Sequence, residues 1–312
     1  MSRAQFSDNE LDELLAGVRE GKQLHVDVLS AAAGALEAKM IAVANVVDIA
    51  PPVAVVGDVH GSVSALREVF AVAGPLPDIS YVFLGAYVNR GPASVAVMAE
   101  LILCALRWPA RCTLLRSGHE TRAAAELYGL RDECMDLYGD EGPYEALLGV
   151  FNVLPIAATL GSVLVLHGGL SPSIESLDQL AALDRFMEIP PEGALTDLMW
   201  SMPASREPSD AAFSLSPRGL GYTYSEAALD TFLAANSLTT VITGNSLVHL
   251  GFAEIFPSKL YTVWSVPNYL GRCGNLGAVV HVLAPGAFVP IAFPAPSHHE
   301  PWPVARDLHI FE

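Results

Sequence analysis

Val53-Ala-Val-Val-Gly-Asp-Val-His-Gly61 is an aliphatic run that ends abruptly in an acid and an imidazole set between glycines. Three further segments repeat the plan. Tyr81–Leu84 runs into Gly-Ala-Tyr-Val-Asn-Arg-Gly (85–91), Thr113–Leu115 into Arg-Ser-Gly-His-Glu (116–120), and Val163–Leu166 into His-Gly-Gly (167–169). A short β-branched run closed by glycine reads as a strand leaving a sheet, and fully apolar strands imply a sheet covered on both faces. Helical patterns lie between them: from Ser62 through Leu66, Val69 and Phe70, from Ser94 to Leu106, and from Thr121 to about Phe151. Strands punctuated by helices predict an α/β core. Ligands of such folds collect beyond the carboxyl ends of strands. The repetition of Asp, His and Arg at four strand ends therefore predicts a site where any one cluster would be weak.

Outside these segments the chain changes texture. Ser7-Asp-Asn-Glu10 is a capping box, and Leu11, Leu14, Leu15 and Val18 follow at helical spacing. A second amphipathic helix is predicted from Val26 to Asn45, burying Val28, Leu29, Ala32, Leu36, Met40 and Ile41. Pro51-Pro52 stops any helix and launches the first strand. Toward the C-terminus, Thr239–Ile242, Leu260–Ser265, Gly277–Leu283 and Phe288–Phe293 read as strands of a second, β-rich layer, with Arg185–Pro217 as an irregular connection. The expected organisation is N-terminal helices over 1–52 packing on the core, one large domain over 53–295, and a Pro-rich tail over 296–312 in which His298 and His299 are solvated.

Composition narrows the function classes. A 52% hydrophobic share predicts a substantial core, and a formal charge of −17 argues against nucleic-acid or anionic-membrane surfaces, which need clustered Lys and Arg. No apolar stretch has the length of a membrane span, and the start has no signal-like apolar segment. Four cysteines without CxxC spacing read as free thiols of a reducing compartment, so a cytoplasmic address is expected.

In order and spacing, the four strand-end clusters resemble the motifs GDxHG, GDxVDRG, RGNHE and HGG of the serine/threonine phosphoprotein phosphatases (the PPP family). Further segments extend the resemblance from about residue 10 to about 285. Ser216-Pro-Arg-Gly-Leu-Gly-Tyr-Thr-Tyr224 is similar to RGxGxTF, and Ser265-Val-Pro-Asn-Tyr-Leu-Gly271 to SAPNYCG. Leu198-Met-Trp-Ser-Met-Pro203 is similar to LLWSDP, and Thr243-Gly-Asn-Ser-Leu-Val248 stands where RAHQVV is usual. The resemblance implies an α/β calcineurin-like metallophosphoesterase fold, a two-layered β-sandwich flanked by helices. Its binuclear centre needs two metal ions roughly 3.5–4 Å apart, bridged by anionic oxygen.

The resemblance matters most where it breaks. Asp58, His60 and His167 match metal ligands, but the bridging Asp falls on Ala86, the ligand Asn on Gly118 and a ligand His on Asn245. An Asn carbonyl can ligate a hard cation without adding charge, so Asn245 is a weak candidate. His119 matches the general acid, and its orienting Asp is replaced by Asn89, which cannot stabilise an imidazolium as a carboxylate does. Arg90, Arg218 and Tyr269 match the phosphate clamp. The residues also have plain structural readings: Asp58 and His60 as a hydrogen-bonded pair holding a loop, His167 as a satisfied buried histidine, Arg90 in an internal salt bridge, Arg116 and Glu120 as an ion pair.

The expectation is a catalytically inactive, phosphatase-like protein acting as a scaffold or binding subunit of a multi-subunit protein assembly, with no cofactor. One alternative is a reader that grips phosphoserine or phosphothreonine in phosphoproteins without cleaving it. The other is a low-activity protein-serine/threonine phosphatase holding one divalent metal, such as Mn or Fe/Zn, at reduced occupancy. Neither nucleic acid nor membrane is expected as a partner.

Overall fold

A computed structural model of the chain describes residues 5–204, 211–297 and 301–303. The N-terminal half contains helices α1 (Asp8–Arg19), α2 (Val26–Met40), α3 (Val63–Ala73), α4 (Ser94–Arg107), α5 (Arg122–Tyr128), α6 (Leu130–Tyr138) and α7 (Gly142–Phe151). Strands β1 (Val46–Asp48), β2 (Val53–Val56), β3 (Tyr81–Phe83) and β4 (Cys112–Leu114) are interleaved with them. The chain then runs through β5 (Ala157–Leu160), β6 (Val163–Leu166), α8 (Leu177–Ala181), α9 (Ala194–Trp200), β7 (Met202–Pro203), β8 (Phe213–Leu215), β9 (Tyr222–Tyr224) and α10 (Glu226–Ala235). It closes with β10 (Thr240–Thr243), β11 (Phe252–Phe256), β12 (Leu260–Val263), β13 (Gly277–Ala284) and β14 (Ala287–Phe293).

Two mixed sheets form the centre, ordered β1-β5-β6-β10-β12-β11 and β14-β13-β2-β3-β4, with β7-β9-β8 as a small third sheet. Alternation along each strand explains why both faces are apolar. Val53, Val55, Val82 and Leu84 point inward and meet Val163, Val165, Ile242 and Val263 of the other sheet. Their neighbours Ala54, Val56, Tyr81 and Phe83 point outward and are covered by α1, α2, α3, α4 and α7. Leu164, Leu166 and Val241 are covered on the opposite outer face by residues of α8, α9 and α10. The architecture is the helix-flanked two-layered sandwich expected of a calcineurin-like metallophosphoesterase.

Several boundaries differ from the sequence reading, for identifiable reasons. The second helix stops at Met40 rather than Asn45, because the Arg185 guanidinium takes the carbonyls of Met40 and Val43 together with the Asn45 side chain. Asn45 in turn donates to the carbonyls of Ala181 (3.0 Å) and Leu183, so the segment read as helix is an exposed turn anchored by one buried asparagine, and Ile41, expected in the buried stripe, is exposed. Strands β1 and β5 escape sequence reading because they are short and pair with each other, Val46 opposite Ala157. The C-terminal strands do not form a separate layer: β10 and β12 join β6, whereas the β13–β14 hairpin extends the N-terminal sheet through β2. The connection read as irregular over 185–217 contains α9, β7 and β8, with residues 205–210 outside those described. His298 and His299 also lie outside the described residues.

Candidate functional site

The loops after β2, β3, β4, β6 and β10 converge at one edge of the sandwich. Asp58 bridges to Trp264 just beyond β12, which ties the ends of the two sheets together. His60 (φ 46°), Ala86 (φ 53°), Asn89 (φ 74°), Arg90 (φ 66°) and Asn245 (φ 60°) all adopt left-handed backbone conformations. Such strain costs of order 1–3 kcal/mol per residue and persists only where the surroundings over-determine it. At Ala86 the buried Glu120 carboxylate does so, accepting N–H bonds from Ala86 (2.9 Å), Tyr87 (2.9 Å) and Ser117 (3.1 Å). Burial pushes the Glu120 carboxyl up from its ordinary value, while Ser117 and the Ala86 and Tyr87 amides pull it back. The expected Arg116–Glu120 ion pair is not formed. Arg116 meets only the Glu120 carbonyl (3.2 Å) and spends its other donors on the Met187 carbonyl (2.8 Å) and Asn152 (2.8 Å). Gly91 is required by close approach, since a Cβ there would lie 1.8 Å from the His60 carbonyl oxygen.

The residues matching metal ligands are brought together but do not form a two-ion site. Asp58 is the shared partner, with Oδ2 3.4 Å from His60 Nε2 and Oδ1 4.0 Å from His167 Nδ1. Burial would raise the Asp58 carboxyl, but His167, His60 and the Asn245 N–H (3.1 Å from Oδ1) together hold it below its ordinary value. At the bridging position Ala86 offers only backbone. At the next, a Cβ on Gly118 would lie 2.2–2.5 Å from Trp200 ring atoms, so an indole fills the space that a ligand side chain would need. At the third, Asn245 is already engaged: its Oδ1 accepts from Arg218 (3.1 Å) and its Nδ2 donates to the Trp200 carbonyl (3.1 Å). The weak candidate oxygen considered from sequence therefore has a cationic guanidinium beside it. Among the described residues, no group of three or more His, Cys, Asp or Glu is arranged to hold a metal ion. Two ions with an anionic bridge do not fit this donor set. One atom points the other way. His167 Nδ1 is buried without a hydrogen-bond partner, so the histidine is not fully satisfied as read from sequence. Burial pushes this imidazole down to about 4, against the pull of Asp58.

His119 and Asn89 are in contact. Asn89 Oδ1 accepts from the Leu130 N–H (3.3 Å), which turns Nδ2 toward the His119 carbonyl (3.1 Å) and Nδ1 (3.3 Å). A ring nitrogen facing an amide donor must be the acceptor, so the His119 proton sits on Nε2. Protonating Nδ1 would set N–H against N–H. Burial, then His60 and Arg90, push the His119 imidazole well below its ordinary value. The group matching a general acid is thus held neutral.

The phosphate-clamp residues are better preserved. Arg90 stacks over the Tyr128 ring (4.4 Å), its N–H bonds the Tyr128 carbonyl (3.0 Å), and its buried Nε has no partner. Among the described residues it makes no ion pair, so the internal salt bridge considered from sequence is not formed. Burial lowers Arg218 from its ordinary value, while Asp58 and Tyr269 raise it and Arg90 lowers it, so the two guanidiniums share one field. Tyr269 packs on His60 (5.1 Å) and Trp264 (5.0 Å). Sequence reasoning missed Trp200 and Tyr128. A glycine at a ligand position was the available signal for Trp200, because it invites a neighbour into the vacated volume. Nothing in the local sequence pointed to Tyr128.

Helices on both faces of a two-sheet sandwich, with Asp, His and Arg gathered at the strand ends, define a phosphoesterase architecture. The calcineurin-like phosphoesterase family model matches residues 51–248. A serine/threonine-protein phosphatase of Schizosaccharomyces pombe is 38% identical over 274 residues, 88% of each chain. A protein phosphatase 2A catalytic subunit of Dictyostelium discoideum is 43% identical over 244 residues, 78% of this chain and 77% of that one. The solved structure of a protein serine/threonine phosphatase from Saccharomyces cerevisiae, with similarity to human phosphatase PP5, superposes with a TM-score of 0.85. It is 27% identical and covers 94% of this chain and 98% of that one. The chain belongs to the calcineurin-like phosphoesterase family, in its serine/threonine protein phosphatase branch.

Proposed function

We propose that this protein is a phosphatase-fold member that does not hydrolyse phosphoesters and acts as a binding subunit in a protein assembly. The observation that carries the proposal is the occupied ligand space: the Trp200 ring lies where a side chain at 118 would project. Ala86 and the Arg218-engaged Asn245 support the same reading. A metal pair, where a site of this kind holds one, would supply an activated water and a clamp on the phosphoryl oxygens. What this chain's own residues do is narrower. Asp58 orients His60, Glu120 fixes the 85–88 loop, and Asn89 orients the His119 ring, which burial keeps neutral.

A second reading shares the same site. The partnerless Arg90 Nε, beside Arg218, favours grip on a phosphorylated side chain without cleavage, since a guanidinium fork suits phosphate oxygens. The Dictyostelium relative is named as a catalytic subunit, which supports an assembly role. A charge of −17 favours a partner with basic surface. The four free cysteines suit a reducing, cytoplasmic compartment. No helix among the described residues is long and apolar enough to cross a membrane.

Two measurements test these readings. Incubation with a generic aryl phosphate and added Mn²⁺ is expected to give no turnover; metal-dependent turnover abolished by Asp58→Asn would overturn the first. Titration with a phosphopeptide and its unphosphorylated twin is expected to favour the phosphopeptide and to lose that preference in Arg90→Ala. Equal affinities would remove the second.

A further inference from the structure

We infer that Pro301-Trp302-Pro303 is an intramolecular strap that seats Trp302 on Tyr269 and stiffens the rim of the site over residues 267–275. The Trp302 indole meets the Tyr269 ring edge-on, with centroids 5.6 Å apart and planes at 83°. Its Cδ1 lies against Gly271, where even a methyl group would sit 3.3 Å from the indole. The seat beside it is lined by Ser62, Pro92, Pro267, Asn268 and Pro296, drawn from both halves of the chain. Proline on either side of Trp302 restricts the segment before it docks, so little conformational freedom is lost in seating it.

The contact reaches the site in a few steps. Tyr269 packs on the His60 ring at 5.1 Å, and His60 on His119 at 4.7 Å. The rim itself has little regular structure to hold it. Asn268 (φ 45°) and Leu270 (φ 56°) are left-handed, and the turn is pinned by Asn275, which bonds the Asn268 and Tyr269 N–H groups. An aromatic lid on Tyr269 supplies what the turn lacks. Releasing the strap therefore loosens the rim and bares the Tyr269 ring, which makes access to the site adjustable from the C-terminal segment.

Hydrogen exchange on the full chain tests this, comparing the native protein with Trp302→Ala and Trp302→Phe. The Gly271, Arg272 and Cys273 N–H groups bond Asn268 and Tyr269 carbonyls. Their exchange is expected to quicken about tenfold in the alanine variant and to stay near native with phenylalanine. Hydroxyl-radical footprinting is expected to oxidise Tyr269 several-fold faster in Trp302→Ala. Unchanged exchange at 271–273, or an unchanged Tyr269 oxidation rate, would overturn the strap. Neither readout depends on anion binding at Arg90, so the strap and the phosphate-grip reading fail separately.

Discussion

Gly118→Ala is the smallest change that puts the occupied ligand space to the test. The new Cβ would lie 2.2 Å from Trp200 Cε2, 2.3 Å from Cζ2 and 2.5 Å from Nε1, where ordinary contact begins at 3.4 Å. The ring must retreat by about 1 Å, and the surroundings limit that retreat. The Trp200 carbonyl is bonded by Asn245 Nδ2 (3.1 Å), the next residue is fixed by Ser201 N–H to the Asp197 carbonyl (2.8 Å), and the ring leans on His119 (5.9 Å). Gly118 has no positive φ, so backbone strain adds nothing. Overpacking of this kind costs about 1–3 kcal/mol. At this chain length that lowers Tm by roughly 2–5 °C. In a Trp200→Ala background the same substitution meets open space, so the double-mutant cycle should return a coupling of about 1–2 kcal/mol. Chemical denaturation of the four proteins, followed by circular dichroism, measures it. Equal cost in both backgrounds, or no cost in the native one, would refute the claim that the indole occupies this volume.

Other consequences can be checked in parallel. Glu120→Ala strands the Tyr87 and Ser117 N–H groups, leaves the Ala86 N–H with Ser117 Oγ (2.9 Å) alone, and is expected to cost about 2–4 kcal/mol in denaturant melts; a loss under about 0.5 kcal/mol would deny that this carboxylate holds the loop. His119 is expected to remain a neutral Nε2–H tautomer from about pH 6 to 8 by nitrogen-correlated NMR, because burial and its cationic neighbours lower its affinity for protons. Since its folded value lies below the unfolded one, the unfolded chain takes up the proton first as pH falls. The stability attached to neutral His119 is therefore complete above the unfolded value and drains below it. Asn89→Asp supplies a carboxylate and is expected to raise the His119 titration by about 1–3 pH units; an unmoved titration would contradict the assigned contact.

Much of the fold was legible because its signal is local. Four aliphatic runs, each ending in glycine and a polar cluster, mark strands, and the structure has a strand at every one, two of them (Tyr81–Phe83 and Cys112–Leu114) with ends one residue from those read. The capping box at Ser7 likewise needed only its own four residues. What escaped depends on distant partners. The second helix is cut short by Arg185, far along the chain, and the hairpin of β13 and β14 joins the N-terminal sheet through β2. At the site, the resemblance located the losses at Ala86, Gly118 and Asn245. It could not reveal that Trp200 fills one gap and Arg218 closes another. Nor could it tell that Arg90 stacks on Tyr128 instead of pairing with an acid. Those are facts of packing, written by residues dozens of positions apart.

The central claim is that Asp58, His60 and His167 are remnants that no longer support a two-ion centre. Quantitative metal analysis of the purified full chain, after exposure to Mn²⁺, Fe²⁺ and Zn²⁺ and removal of unbound ions, tests it most directly. The account predicts fewer than two ions per chain, with any residual ion lost in Asp58→Asn. Two tightly held ions per chain would contradict it.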